Sequence, residues 1–172
     1  IANQNKNGSW GSARNTKGLN IFAPVPGAHH AFRAAVTSLC VSSLIETKAA
    51  DKRKDAQASL ERAEAWMLAN LGSLRRATGD AIYNVWGHSY GISALVQMYR
   101  RTEKTGRRKQ IKEAIEHQIR MLEKYESVDG GWGYYDFRYQ TKQPSSSSIS
   151  FTSATGLVAL KDAENIGVNV PA

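Results

Sequence analysis

The sequence has only one cysteine, Cys40, and no long apolar run. A single cysteine cannot form an internal disulfide or a cysteine-based zinc site, and within AAVTSLCVSSLI it is predicted to be a small buried hydrophobic residue. No stretch approaches the roughly 20 apolar residues that span a bilayer. The first residues, IANQNKNGSWG, lack the basic and apolar regions of a signal peptide. These absences exclude a disulfide-rich scaffold and leave the compartment unassigned.

The sequence also lacks any sustained alternation of apolar and polar residues, so almost no β-sheet is expected. Apolar residues make up 41% of the 172 residues and charged residues 22%, which is typical of a folded globular chain. This length suits one domain, and we assign residues 1–172 to it.

The net charge of +8 comes from local clusters of basic residues. They lie at predicted helix ends and connections, at Lys52, Arg53, Lys54, Arg75, Arg76, Arg100, Arg101, Lys104, Arg107, Arg108 and Lys109. A basic surface can attract an acidic partner or a membrane surface, although a solvated surface is the first expectation. No nucleic-acid-binding motif accompanies the charge, so specific nucleic-acid binding is not expected.

Helical periodicity predicts five helices, at about residues 28–46, 51–71, 88–103, 107–126 and 150–165. The first, third and fifth are apolar around most of their circumference, which predicts burial on several sides. The second and fourth carry one apolar stripe and are predicted to be surface helices. Buried and surface helices therefore alternate, which predicts an inner layer of helices covered by an outer layer.

A glycine–tryptophan element occurs twice, as Asn-Gly-Ser-Trp-Gly around Trp10 and Asp-Gly-Gly-Trp-Gly around Trp132. The two tryptophans lie 122 residues apart, which fits two repeat units. Gly8, Gly130 and Gly131 suit tight turns with positive φ, and each indole can wedge neighbouring units together. A third element from 79 to 91, which contains Trp86, lies between them at irregular spacing.

These repeats resemble those of the prenyltransferase and squalene-oxidocyclase superfamily, and Gln4-Asn5 before Gly8 and Trp10 resembles the glutamine–tryptophan motif of the cyclases. The resemblance implies an all-α fold, an α/α toroid of helical hairpins, of which this chain makes a partial ring of five to six helices. The chain starts just before a glycine–tryptophan turn and stops after an inner helix, which predicts a fragment of a longer array with exposed apolar surface at both ends.

The catalytic motifs of the family are missing from these residues. The sequence contains no Asp-x-Asp-Asp motif of the squalene–hopene cyclases, no aspartate–cysteine–histidine zinc set and no thioester motif. We therefore expect no metal and no cofactor. If the chain is an enzyme, Asp136 and His88 are the first candidates for a catalytic role.

Two long connections, residues 12–27 and 134–148, are candidates for function. The second is rich in aromatic residues, and a cavity mouth of this composition suits a lipid, an isoprenoid or a glycan; the alternative is a loop that packs its rings on the fold. His30 and His88 open two inner helices and are expected to lie on one rim. The predicted ligand-binding residues are Tyr134, Tyr135, Phe137, Tyr139, His30 and Trp86.

The leading hypothesis is a non-catalytic domain that binds an apolar or elongated ligand, or a protein partner, on its inner face. One alternative is an enzyme, a terpenoid cyclase or a lyase or hydrolase on the same scaffold, whose acid lies outside this segment. Another is a subunit that docks or self-associates through its repeat ends.

Overall fold

A computed structural model describes residues 1–11, 26–74, 84–133 and 148–171, and its regular structure is helical. The helices are α1 Pro26–Glu46, α2 Ala49–Lys52, α3 Lys54–Asn70, α4 Asn84–Arg101, α5 Thr105–Lys124 and α6 Ser150–Glu164, with a 3₁₀ turn at Leu71–Ser73. These four ranges contain no strand, so the all-α prediction is confirmed for them. None of the helices described is long and apolar enough to cross a bilayer.

The helices pack in two layers. Helix α4 lies between α1 and α6 and packs extensively against both. Helix α3 packs on α1, and α5 packs on α4. We call α1, α4 and α6 the inner layer and α3 and α5 the outer layer, so that successive long helices along the chain alternate between the two.

The predicted second helix, residues 51–71, is divided in the structure. Arg53 is extended, with φ −136° and ψ 126°, and it separates α2 from α3. Its guanidinium donates to the carboxylate of Asp55 at 2.6 Å. Its carbonyl accepts the backbone N–H of Gln57 at 3.0 Å, which begins α3. Apolar periodicity does not reveal this break because Arg53 and its neighbours are exposed and polar on both sides of it.

The region around Trp86 is also not the turn that its glycines suggest. Trp86 and Gly87 lie inside α4, which begins at Asn84, four residues before the predicted start. A Cβ at Gly87 would lie 2.8 Å from Leu74 Cδ1 and 3.4 Å from the carbonyl oxygen of Ala31. Glycine at this position therefore allows α4 to pack closely against its neighbours. A sequence alone does not show whether a glycine permits close packing or a turn.

The two glycine–tryptophan elements form turns with the same backbone hydrogen bonds. In turn 1, residues 5–10, the N–H of Asn5 donates to the Ser9 carbonyl at 2.8 Å and the N–H of Gly8 donates to the Asn5 carbonyl at 2.9 Å. In turn 2, residues 127–132, the two corresponding bonds are 2.9 and 3.1 Å long, and each lies 122 positions further along the chain. The internal repeat is thus present in the fold.

Each turn is fixed to the inner helix that follows it by one hydroxyl group. Thr37 Oγ1 on α1 accepts the N–H of Trp10 at 2.9 Å and donates to its carbonyl at 3.3 Å. Ser153 Oγ on α6 does the same for Trp132, at 2.9 and 3.4 Å. We call these contacts the hydroxyl clamps. Both indoles are buried, so each clamp satisfies backbone groups that water reaches poorly.

Large apolar side chains are exposed mainly on α1 and α6, the two edge helices of the inner layer. Val36 and Leu39 of α1 are exposed, as are Phe151, Leu157 and Val158 of α6. The central helix α4 instead has Ile92, Leu95 and Met98 fully buried. The broad apolar surface of α1 and α6 therefore exceeds what their neighbours in the described part of the chain cover.

The clamps predict a specific loss of stability. Thr37→Val keeps the shape of the side chain but leaves the N–H of Trp10 without its partner, so we expect a loss of about 1–3 kcal/mol in the free energy of unfolding. Urea denaturation followed by circular dichroism measures this. Thr47→Val is the matched control, because Thr47 is exposed and its change is expected within about 0.5 kcal/mol. Equal losses in the two variants would contradict the clamp.

Candidate functional site

Three aromatic rings stack where the first turns of α4 and α6 meet. Trp86 lies between Tyr90 and Phe151, with ring centroids 5.6 Å from Tyr90 and 5.9 Å from Phe151. The interplanar angles are 20° and 16°, so the three rings are close to parallel. Phe151 is 53% exposed, and Trp86 and Tyr90 are half-buried. We call these three residues the aromatic stack, and it offers π-faces and ring edges at the surface.

The stack continues into a polar half along the same side of α4. Trp86, Tyr90, Ser93 and Gln97 are separated by three or four residues and therefore lie in one stripe. Ser93 Oγ donates to Asp162 Oδ2 of α6 at 3.4 Å. Gln97 Nε2 donates to Glu46 Oε1 of α1 at 2.6 Å. At 1.5 Å per residue the stripe is about 16 Å long, with an aromatic end and a polar end.

Five predicted site residues lie outside the described ranges. They are Tyr134, Tyr135, Asp136, Phe137 and Tyr139, so their roles stay predictions. Trp86, the remaining aromatic residue of the predicted ligand-binding set, lies in the aromatic stack.

His30 lies between the layers. Its imidazole packs edge-on against the indole of Trp66 on α3, with centroids 6.0 Å apart and an interplanar angle of 75°. The side chain is half-buried. This contact joins α1 to α3, and the structure does not bring His30 to the aromatic stack.

His88 is fully buried between α4 and α5. Its Nδ1 lies 2.6 Å from Gln118 Oε1, and Gln118 Nε2 donates to the carbonyl of Leu71 at 3.2 Å. The second bond fixes the amide orientation, so Oε1 accepts and His88 Nδ1 carries the proton. The imidazole also stacks on Tyr125 at 5.8 Å. His88 thus joins α4, α5 and the 3₁₀ turn, and its role as a catalytic acid stays a prediction.

Burial lowers the pKa of His88 from 6.5 to about 4, while its hydrogen bond with Gln118 opposes this shift. His88 Nε2 is buried, and no residue in the described ranges forms a hydrogen bond with it. Protonation would place an unpaired charge there, so the folded protein holds this imidazole neutral near pH 7.

Cys40 borders an apolar groove at the N-terminal edge, which Ile1, Trp10, Val36, Leu39, Ser43 and Leu44 also line. Partial burial raises the pKa of its thiol, so the reactive thiolate is disfavoured. Among the residues that the structure describes, no three His, Cys, Asp or Glu side chains are grouped so that they could hold a metal ion.

Several basic residues at the opposite ends of the inner helices are paired locally. Arg101 contacts Asp51 at 2.9 Å, and Arg107 lies 3.7 Å from Glu64. Arg108 donates to the carbonyl of Thr102 at 2.6 Å and lies 5.1 Å from the ring centroid of Tyr99. Part of the positive charge therefore connects α2, α3, α4 and α5 to one another.

Sequence reasoning did not identify Tyr90 and Phe151 as site residues. Tyr90 follows Trp86 by four positions in a helix, and that spacing is a usable signal for a shared face. Phe151 lies on another helix, 65 positions from Trp86. Only the contact between α4 and α6 brings the two rings together.

The buried His88 predicts a pH dependence of stability. Between pH 6.5 and 4 the unfolded chain binds a proton that folded His88 does not bind, so stability is complete above pH 6.5 and falls as the pH drops. The loss attributable to His88 is on the order of 3 kcal/mol across that window. Urea unfolding at several pH values measures it.

His88→Asn retains an amide donor for Gln118 but has no titratable ring, so its stability should fall less over the same range. Thr47→Val, at an exposed residue, is the control and should keep the wild-type dependence. Identical pH profiles for wild type and His88→Asn would refute the assignment.

No protein family, no curated protein and no solved structure matches this chain. The function therefore has to be argued from the residues and their geometry.

Proposed function

We propose that this chain is a non-catalytic repeat domain of the prenyltransferase and squalene-cyclase type, which binds an apolar, elongated ligand on its inner face. The aromatic stack of Trp86, Tyr90 and Phe151 is the observation that carries the proposal. The three rings form a partly exposed apolar surface, with Phe151 53% exposed, and covering this surface with an apolar chain removes it from water.

The stripe along α4 supports an elongated ligand. Its aromatic end, at Trp86 and Tyr90, suits an isoprenoid chain or another flat apolar group. Its polar end, at Ser93 and Gln97, already holds hydrogen bonds to Asp162 and Glu46. A ligand with an apolar body and a polar tip matches this order.

The toroid assignment rests on the layers and on the two turns. An inner helix followed by an outer helix occurs twice, as α1 with α3 and as α4 with α5. The turns at Trp10 and Trp132 share their hydrogen bonds and their hydroxyl clamps. Further units of this kind, packed side by side, would close a ring around the inner face.

The alternative is an enzyme on the same scaffold whose catalytic acid lies outside this segment. His88 supports this alternative poorly, because it is buried between layers and its pKa is low. A general acid must hold its proton at the working pH and reach the substrate.

The proposal predicts binding of an isoprenoid alcohol such as farnesol. Trp86 is half-buried, whereas Trp10, Trp66 and Trp132 are buried, so a ligand on the stack should change the fluorescence of Trp86 selectively. We expect Trp86→Phe to lose most of that change. Phe151→Ala should weaken binding about tenfold, which corresponds to roughly 1.4 kcal/mol; isothermal titration calorimetry measures it.

Val128→Ala is the matched control, because Val128 is exposed but lies in turn 2 rather than on the inner face. It should bind farnesol like the wild type. A linear oligosaccharide measured in parallel distinguishes a glycan from an isoprenoid. Failure of both probes to bind, or equal binding by Phe151→Ala and wild type, would rule the stack out. Turnover of an isoprenoid diphosphate would favour the enzyme.

A further inference from the structure

Most of the net charge lies at one end of the fold, where the inner helices α1 and α4 terminate. Residues 46–55 and 100–109 contain ten basic and four acidic residues, so they carry +6 of the chain's net charge of +8. The first range spans the connection from α1 through α2 to α3, and the second spans the connection from α4 to α5. We call the surface formed by these two ranges the basic end.

The two connections of the basic end lie side by side. Arg101 Nη2 is 2.9 Å from Asp51 Oδ1, and Gln97 Nε2 donates to Glu46 Oε1 at 2.6 Å. These contacts hold both ranges in one continuous surface. Trp86 of the aromatic stack lies fifteen positions before Arg101 in the same helix, a separation of about 22 Å. The basic end is therefore distinct from the stack.

The basic side chains of this surface fall into two groups. Four arginines are engaged within the fold: Arg53 pairs with Asp55 at 2.6 Å, and Arg101, Arg107 and Arg108 contact carboxylate or carbonyl oxygens. The other six side chains are exposed and form no ion pair or side-chain hydrogen bond with any residue in the described ranges. They are Lys48, Lys52, Lys54, Arg100, Lys104 and Lys109.

The stability of the helices does not account for these free cations. Helix α5 begins at the basic end, and its first turn contains no acidic residue. Lys104 is its N-cap residue, and Lys109 lies one turn further along. Positive charge near the N-terminus of a helix opposes the macrodipole. The charge is thus unfavourable for α5 itself and remains available to an anionic partner.

The composition of the basic end discriminates between classes of anionic partner. Residues 46–55 and 100–109 include no aromatic residue and no exposed large apolar side chain. Protein interfaces are enriched in aromatic residues and depleted in lysine, peripheral membrane sites bury apolar side chains beside their cations, and single-stranded nucleic acids stack on aromatic rings. The phosphate backbone of a duplex needs only the positive charges.

We propose that the basic end binds the phosphate backbone of a nucleic-acid duplex without reading its sequence. Contacts to phosphates fix position but carry no sequence information, which agrees with the lack of a recognition motif in the chain. A sequence pI of about 9.7 and cations gathered on one surface are the electrostatic features of such binding. This inference does not depend on the ligand proposed for the aromatic stack.

The salt dependence of duplex binding tests the proposal directly. A fluorescein-labelled DNA duplex of about 20 base pairs is titrated with the chain at several salt concentrations, and fluorescence anisotropy measures binding. We expect a dissociation constant of about 10⁻⁴–10⁻⁶ M at physiological salt. If the six free cations each neutralise one phosphate, the logarithm of the association constant falls with the logarithm of the salt concentration with a slope of about −5. A second duplex of unrelated sequence should bind with similar affinity.

Two double variants with the same change of charge locate the binding surface. Lys104→Gln with Lys109→Gln removes two free cations from the basic end, so the salt slope should become shallower by about 2. Lys6→Gln with Lys124→Gln is the matched control, because both lysines are exposed and lie outside the basic end; its slope should remain that of the wild type. Circular dichroism and thermal unfolding establish that both double variants are folded.

Three results would overturn the proposal. The first is no binding of the duplex at about 50 mM salt, where electrostatic binding is strong; vesicles that contain phosphatidylserine are measured in parallel, and binding to them alone would assign the basic end to a membrane surface. The second is an equal change of slope in the two double variants, which would show that only the net charge of the chain matters. The third is a preference of more than about tenfold for one duplex sequence, because backbone contacts do not distinguish sequences.

Discussion

A buried tryptophan turn held to an inner helix by one hydroxyl is the contact on which the layered arrangement depends. At turn 2 the indole of Trp132 donates to the carbonyl of Leu122 at the end of α5, at 2.8 Å. The same ring lies against Gly156 of α6, where a Cβ would come 2.8 Å from Trp132 Cε3. One side chain therefore joins an outer helix, a turn and an inner helix. The backbone bonds of the turn and its hydroxyl clamp recur at Trp10, so they are a property of the repeat.

The layers separate two kinds of polar and aromatic residue. His88 and Gln118 lie between α4 and α5, where their hydrogen bonds stabilise the contact between layers. Trp86 and Tyr90 lie on the other side of the same helix, with Phe151 beside them. Helix α4 packs against α1, α5 and α6, and Trp86 and Tyr90 belong to the part of its surface that stays half-buried. The inner layer thus combines a structural side and a candidate binding side, and α4 contributes to both.

Helical content was predictable because apolar periodicity depends on neighbours three and four residues away. The predicted burial of the fifth helix is not found at α6, where Phe151, Leu157 and Val158 are exposed. The turns at Trp10 and Trp132 were predictable because glycines that can take positive φ lie on the N-terminal side of each tryptophan. The break at Arg53 was not predictable from apolar periodicity, because the residues around it are polar and exposed. The break consists of an extended residue whose side chain bonds to Asp55. The role of Gly87 was not predictable either, because close helix packing and tight turns both favour glycine.

The sequence by itself determined that the described ranges are helical and that two indole turns repeat. These features follow from the spacing of residues along the chain, because secondary structure places residues at fixed spacings on the same face. Tertiary structure alone decided that Phe151 joins Trp86, that His88 faces Gln118, and that α3 lies against Gly8 of turn 1. Each of these contacts joins residues from different elements of the fold. Local sequence patterns do not determine such contacts, because only the packing of whole helices brings these residues together.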